Sequence, residues 1–306
     1  MSGSGAAAGF GLLSASSWGG SDFVGGLGAR RAPALLVVVA GHSFTLIVLL
    51  AICLGMRFAV PGWSPFLYSA IGGFEGALAL ALFYRALAMG AMGLTAALCG
   101  LITALIPVLF SMIHEGLPKA LEAVGLAMGL CAIWLITRTP SANEGLTGDE
   151  LASGAVGKAA SRAPLLMGAL AGVGFGSQLV LLKMAGTVSI FWIMADARAA
   201  GVAGLIVVLL IVYRKGLPKG SGEMAGKGIR AGYLGFGILA GLLDTVGNLF
   251  YILASRMGRL DEAAMICSLY PGGTILLAML FLGEKPSRRQ VAGIALALTA
   301  VVLLSV

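Results

Sequence analysis

Charge is the scarcest thing in this 306-residue chain: Asp, Glu, Lys and Arg together make up 11% of it. A soluble domain carries about 25%, so there is too little charge to build the solvated shell that a water-soluble core of this length needs. Histidine is nearly absent, with His42 and His114 isolated and without metal-ligand spacing. Neither lies near a serine, cysteine or carboxylate pattern that could pair a nucleophile with a base, which argues against an enzyme. The four cysteines, Cys53, Cys99, Cys131 and Cys267, fall within apolar runs and form neither a CxxC site nor a disulfide framework. No Walker A sequence occurs, so ATP is not the energy source. No bound cofactor is expected.

What the chain has instead is apolar residue, 59% of the total, and 47 glycines, about twice the usual share. The glycines sit inside long apolar runs, as in helices whose backbones touch closely in lipid. A helix needs about 20 residues to cross the hydrocarbon. Apolar runs of that order lie near 6–28, 33–56, 64–89, 92–113 and 119–138, and again near 164–186, 188–213, 229–255, 261–283 and 287–306. The N-terminal run lacks a positive leading segment and reads as a first helix, not a cleaved signal. The pattern predicts an all-α membrane protein of ten transmembrane helices. Its parts are a first five-helix repeat over 1–138, a polar linker over 139–163 and a second repeat over 164–306.

The halves resemble each other. A gapless shift of 169 lays Gly72 on Gly241, Glu75 on Asp244, Glu115 on Glu284 and Lys119 on Arg288; a shift of 157 lays Trp18-Gly19 on Phe175-Gly176. Five helices per half is odd, so the second half enters the bilayer from the opposite side: an inverted repeat, with a site expected at the repeat interface. The formal charge of +7 is spread through short loops without a basic stripe or stacking platform. Nucleic acid is therefore not an expected partner, and the charge reports orientation. Lys and Arg concentrate in loops after odd-numbered helices, which places both termini outside the cytoplasm.

Ionisable groups inside a membrane helix are costly and face a cavity or a partner. Away from helix ends these are Asp22, Glu75, Asp196, Arg198 and Asp244, an excess of acid. The excess fits a cationic or zwitterionic solute or protons carried on a carboxyl group; pairing of the acids with Arg198 or with helix-end bases is the structural alternative. Asp196 and Arg198, two apart, point to different sides and read as structural. Gly237, Gly241, Asp244, Asn248, Tyr251 and Ser255 follow steps of four and three and share one face of the eighth helix. On the third helix the matching face carries Glu75, so Glu75 and Asp244 are the leading pair for substrate binding or coupling. Trp18 and Asp22, four apart on the first helix, can hold an ammonium group by charge and cation–π contact. Gln178 reads as a cavity-facing polar group or an interhelical hydrogen-bonding group. Tyr270 and Pro271 break the ninth helix and free a backbone carbonyl.

Several of these segments together are similar to the drug/metabolite transporter superfamily, EamA type. They are SWGGSDFVGG at 17–26, FYRALAMGAMG at 83–93, GFGSQLVLLK at 174–183, GLLDTVGNLFYILASRMG at 241–258 and SLYPGGTILLAMLFLGEKPSRRQVAGIALAL at 268–298. The fourth helix departs from the pattern of the ninth, since Pro107 comes late in it. The resemblance implies a ten-helix fold with a central cavity and secondary active transport, often export, of amino-acid-like or cationic metabolites. It implies a place in a bacterial inner membrane, with both termini inside, against the charge count. It leaves open whether protons are the coupling ion and whether the chain forms a homodimer. A membrane-embedded enzyme or a channel-like structural bundle is the alternative.

Overall fold

The structure, a computed structural model, describes residues 3–89, 92–137, 162–214, 232–282 and 287–304. The expected linker lies outside the described residues but for its last two positions, which already belong to a helix.

Eleven helices are formed among the described residues: α1 (Gly3–Ala29), α2 (Ala34–Gly55), α3 (Trp63–Ala88), α4 (Met92–His114), α5 (Ala120–Thr137), α6 (Arg162–Met184), α7 (Ile190–Arg214), α8 (Tyr233–Met257), α9 (Leu260–Cys267), α10 (Tyr270–Leu282) and α11 (Arg288–Leu304). Their boundaries follow local chemistry. Pro33 caps α2 with φ −52°, its fixed ring preorganised for a helix start. Gly116 and Gly186 follow the ends of α4 and α6 with φ of +90° and +79°, the left-handed step that glycine takes without strain.

The expected ninth helix is two helices. Proline lacks a backbone N–H, and its ring clashes with the carbonyl four residues earlier. For Pro271 that carbonyl belongs to Cys267, where α9 stops; the chain then turns through Ser268 and Leu269 and restarts at Tyr270. Pro107 has no such effect, and α4 runs through it. The fourth and ninth helices thus differ as the placement of their prolines implies.

Among the described residues, five helices are long and apolar enough to cross a membrane, over Ala34–Gly55, Trp63–Leu87, Ala163–Met184, Ile190–Ile211 and Tyr233–Met257, with mean hydropathy from 1.6 to 2.6. Leu98–His114 and Ala120–Leu135 are apolar but shorter. Large apolar side chains such as Ile47, Leu54, Leu210, Leu280 and Phe281 stand exposed on the outer surface, a face that suits lipid.

The packing scheme decides where a site can form. α1 lies on α8 and α3 on α6; α3 lies on α7 and α2 on α8; α1 touches α9 and α10, and α6 touches α4; α5 pairs with α11 and α2 with α7. Ala7 near the start of α1 sits against Gly258, just past the end of α8, while Arg31 beyond the other end of α1 lies 4.4 Å over the Phe236 ring near the start of α8. Those two helices are antiparallel. Lys183 at the end of α6 donates to the carbonyl oxygen of Ser255 at the end of α8, so α6 finishes at the end of the bundle where α1 starts.

Glycines let these helices touch. A Cβ on Gly241 would stand 2.5 Å from the Cα of Gly41, and one on Gly73 would collide with the backbone of Ala197. The α2–α8 and α3–α7 crossings are therefore backbone against backbone.

Candidate functional site

At the centre, between α1, α3, α4, α6, α8 and α10, is a hollow lined by Trp18, Asp22, Leu80, Thr103, Phe175, Gln178, Leu179, Asp244, Asn248 and Tyr270. Its cavity volume is about 30 Å³. That is room for about two waters.

Six of the eight residues expected from sequence line this hollow: Trp18, Asp22, Gln178, Asp244, Asn248 and Tyr270. Tyr251 stands beside it, its ring centroid 6.1 Å from that of Trp18, and its hydroxyl is committed to the carbonyl oxygen of Leu179 at 2.6 Å. It closes the wall instead of offering a polar group. Tyr270 meets Trp18 edge to face at 6.4 Å, an arrangement in which ring edges meet ring faces. Gln178 reaches across to Gly76, where any Cβ would displace its amide.

Glu75 is the exception, and the expected Glu75–Asp244 pair is not formed. Glu75 does not line the hollow. It is half-buried against α6 beside Ser177, and its Oε2 has no hydrogen-bond partner among the described residues. The reason is angular: each residue advances a helix by about 100°, so one position of offset carries a side chain off the cavity face. Gly76, the next residue, is the one turned to Gln178.

Asp244 is held firmly. Arg198 Nη2 donates to its Oδ2 at 2.5 Å, and Asn248 Nδ2 donates to its Oδ1 at 3.2 Å and to its backbone carbonyl oxygen at 2.8 Å. Arg198 Nη1 in turn donates to His42 Nε2 at 2.6 Å. His42 is thus not isolated, and Arg198 is an ionic partner of the cavity wall. Asp196 points elsewhere and accepts from the Ser69 hydroxyl at 2.5 Å. Asp22 differs from Asp244 in having no ion-pair or hydrogen-bond partner among the described residues. Asn248 Oδ1 is buried and also unpartnered.

Sequence reasoning missed His42, Leu80, Thr103, Phe175 and Leu179. The signal for His42 was available: an arginine buried mid-helix must find acceptors on neighbouring helices, and His42 is the basic side chain of α2. Leu80, Phe175 and Leu179 carry no signal that separates a cavity wall from a core. Chemically, the hollow offers one carboxyl group free of basic partners, amide oxygens and three aromatic rings. His42 and Asp244 are ligand-type side chains, but Arg198 stands between them. Among the described residues no group of three His, Cys, Asp or Glu side chains gathers to hold a metal.

A polar cluster closes the end of the bundle where α4, α6 and α8 finish. Lys183 Nζ lies 3.9 Å from Glu115 Oε1, Glu115 Oε2 accepts from the Leu260 N–H at 3.1 Å, and Arg259 donates to the Gly116 carbonyl oxygen at 2.9 Å and to Asp261 at 2.9 Å. Most of these contacts join residues before 138 to residues after 162.

Residues 162–306 match the EamA-like transporter family. The resemblance seen in the sequence therefore holds over the second half of the chain. A solved crystal structure 17% identical in sequence covers 97% of this chain and 95% of its own, with a TM-score of 0.67; at that identity the likeness is one of fold. No curated protein matches the sequence.

Proposed function

We propose that this chain, which matches the EamA-like transporter family over residues 162–306, is a secondary active transporter that exports or exchanges a small cationic, amino-acid-like metabolite. It moves its solute by alternating access about the central hollow. The observation that carries the reading is the contrast between the two buried carboxyl groups of the cavity. Asp244 is neutralised by Arg198 at 2.5 Å, whereas Asp22 faces the hollow with no basic partner among the described residues and with Trp18 and Tyr270 around it. A buried carboxylate without a cation is costly. An ammonium group answers that cost, and its three N–H donors match Asp22, the unpartnered Asn248 Oδ1 and the Gln178 amide. The rings supply the cation–π wall.

The packing supports a two-repeat architecture. Replacing each of the first five helices by the one five places later, and the reverse, with α9 and α10 counted together, maps principal pairs given above onto one another: α1 with α8 onto α6 with α3, α3 with α7 onto α8 with α2, and α4 with α6 onto α9 and α10 with α1. The ends at which α1 starts and α6 finishes coincide, which is the relation expected of inverted halves. Two contacts support a register: Gly20 of α1 meets Leu243, and Ser177 of α6 meets Glu75. With Gly20 equated to Ser177 by the shift of 157, the shift between α3 and α8 becomes 168, one less than sequence alone gave. Asp244 then corresponds to Gly76, and the acidic site belongs to one half only. On this reading ten spans cross a bacterial inner membrane.

The test is counterflow of radiolabelled phenethylammonium in vesicles reconstituted with the full chain. Saturable exchange, lost in Asp22→Asn, is the expected result. Flux that never saturates points to a channel, and a chemically altered product points to an enzyme; either outcome removes the proposal.

A further inference from the structure

Three ionisable side chains from three helices meet behind the cavity wall: His42 of α2, Arg198 of α7 and Asp244 of α8. A guanidinium has five N–H donors and no acceptor. At 2.6 Å from Arg198 Nη1, His42 Nε2 must therefore be the acceptor. The imidazole is neutral, with its proton on Nδ1, and Nδ1 finds no acceptor among the described residues. The same Nε2 stands 3.7 Å from Asp244 Oδ2, the oxygen that Arg198 holds at 2.5 Å. Two basic groups thus flank one carboxylate oxygen, one bonded to it and the other kept just out of reach by the first.

We propose that His42 Nε2 is the proton-binding site of the transporter, and that protonation there exchanges Arg198 for His42 on Asp244. The inference rests on the reading of Asp22 as the cation site. A proton arriving from water on Nε2 turns an acceptor into a donor that faces a guanidinium at contact distance. The Arg198–His42 hydrogen bond is lost and like-charge repulsion replaces it, in an interior where charges are weakly screened. A movement of less than about 1 Å brings the imidazolium to hydrogen-bond distance of Asp244. Arg198 is released from α8, and the proton later returns to water by the reverse exchange.

The surroundings decide what this does to a bound cation. α2 packs against α1, α3, α7 and α8. α7 presents Arg198 to His42, and its Asp196 is turned to Ser69; α8 presents Asp244. α3 carries Tyr84, whose hydroxyl is held by Ser21 at 3.1 Å, and keeps Glu75 toward Ser177. α1 carries Asp22, which shares the cavity wall with Asp244. With His42 neutral, the cluster sums to zero and Asp22 attracts a cation unopposed. With His42 protonated, the cluster carries one positive charge beside the cation site. Proton and solute then exclude each other although they occupy different side chains, which is the requirement for exchanging one for the other.

His42→Gln separates the two events, because the glutamine amide oxygen can accept from Arg198 but takes no proton. In vesicles containing the full chain, wild type is expected to show both phenethylammonium counterflow at equal pH and accumulation driven by a pH gradient. The variant is expected to keep counterflow and lose the gradient-driven accumulation. Accumulation equal to wild type in His42→Gln overturns the proposal. Nitrogen NMR of labelled histidine in the wild-type chain provides the second measurement, since the chain has two histidines and His114→Gln assigns them. An Nδ1–H tautomer at about pH 8 that becomes imidazolium on acidification, with a shift of the Arg198 guanidinium signals, is expected. An Nε2–H tautomer, or a ring still neutral at about pH 4, overturns the proposal even where the variant fails to fold. If wild type moves no phenethylammonium in counterflow, the transport reading fails while the NMR result still decides the fate of His42.

Discussion

Removing either partner of the Arg198–Asp244 pair should damage the protein more than removing both. The two are buried, with Nη2 and Oδ2 2.5 Å apart. Taking the charge centres as about 4 Å apart, their attraction at an effective dielectric of 20 is about 4 kcal/mol. Measured costs of stripping one partner from a buried pair run to about 3–5 kcal/mol, because a charge is left behind without compensation. Asp244→Leu leaves the guanidinium with His42 as its sole acceptor, and Arg198 Nε is already unpartnered among the described residues. Arg198→Leu leaves a carboxylate with the Asn248 amide and, 3.7 Å away, a His42 that pairs with it only by taking up a proton. Each single variant should therefore lose about 3–5 kcal/mol, and the double variant, with an apolar pair in the same space, less than either single. Equilibrium unfolding in mixed detergent micelles, followed by circular dichroism, reads these values directly. Additive losses in the double variant would refute the reasoning, since they would mean that the charges are solvated separately.

Three further outcomes follow from the same geometry. Asp22→Asn should abolish saturable phenethylammonium binding measured by scintillation proximity, while Glu75→Gln, which alters a group outside the hollow, should leave it near wild type. Gly241→Ala should cost about 1–3 kcal/mol by forcing α2 and α8 apart, since its Cβ would lie 2.5 Å from the Gly41 Cα. Gly26→Ala, with nothing within 4 Å of a Cβ, should be neutral or stabilising by up to about 1 kcal/mol in the same unfolding assay. Lys183→Met combined with Glu115→Gln should speed maleimide labelling of Cys267, buried in α9; unchanged labelling would show that these groups do not keep that end shut.

Much of this molecule is legible one helix at a time and illegible between helices. The stripe on α8 was readable because a polar face with steps of three and four is a property of a single helix, and it leads to Asp244 and Asn248. The break at Pro271 was readable because it depends on a carbonyl four residues away. The partner of Arg198 was not readable, because Asp244 and His42 reach it from other helices, and nothing local ranks them above Glu75 or Asp22. Glu75 lies outside the hollow, one position from Gly76, which faces Gln178. Apolar sequences tolerate a gapless shift of 168 or 169 almost equally, and the proposed register of 168 draws on the contacts of Gly20 with Leu243 and of Ser177 with Glu75.

On the proposed function, the size of the hollow bears on what state of the transport cycle is seen. Space for about two waters does not hold an aromatic amine, so the walls must separate before the proposed solute can enter. The contacts differ in how readily they give. The α2–α8 and α3–α7 crossings are backbone against backbone at Gly41, Gly241 and Gly73, with no side chains to rearrange, so they can rotate but not part cheaply. At the end where α6 and α8 finish, the halves are joined by Lys183, Glu115 and Arg259, half-exposed groups whose ion pairs water can replace at little cost. The bend between α9 and α10 adds a third element, because Ser268 and Leu269 interrupt the helix immediately before Tyr270 on the cavity wall. On the proposed transport cycle, opening at that end is a rotation about the glycine crossings that exchanges the ion pairs for water and swings Tyr270 away from Trp18. It leaves Asp22 facing the entrance and Arg198 behind the wall, in the position from which His42 can displace it.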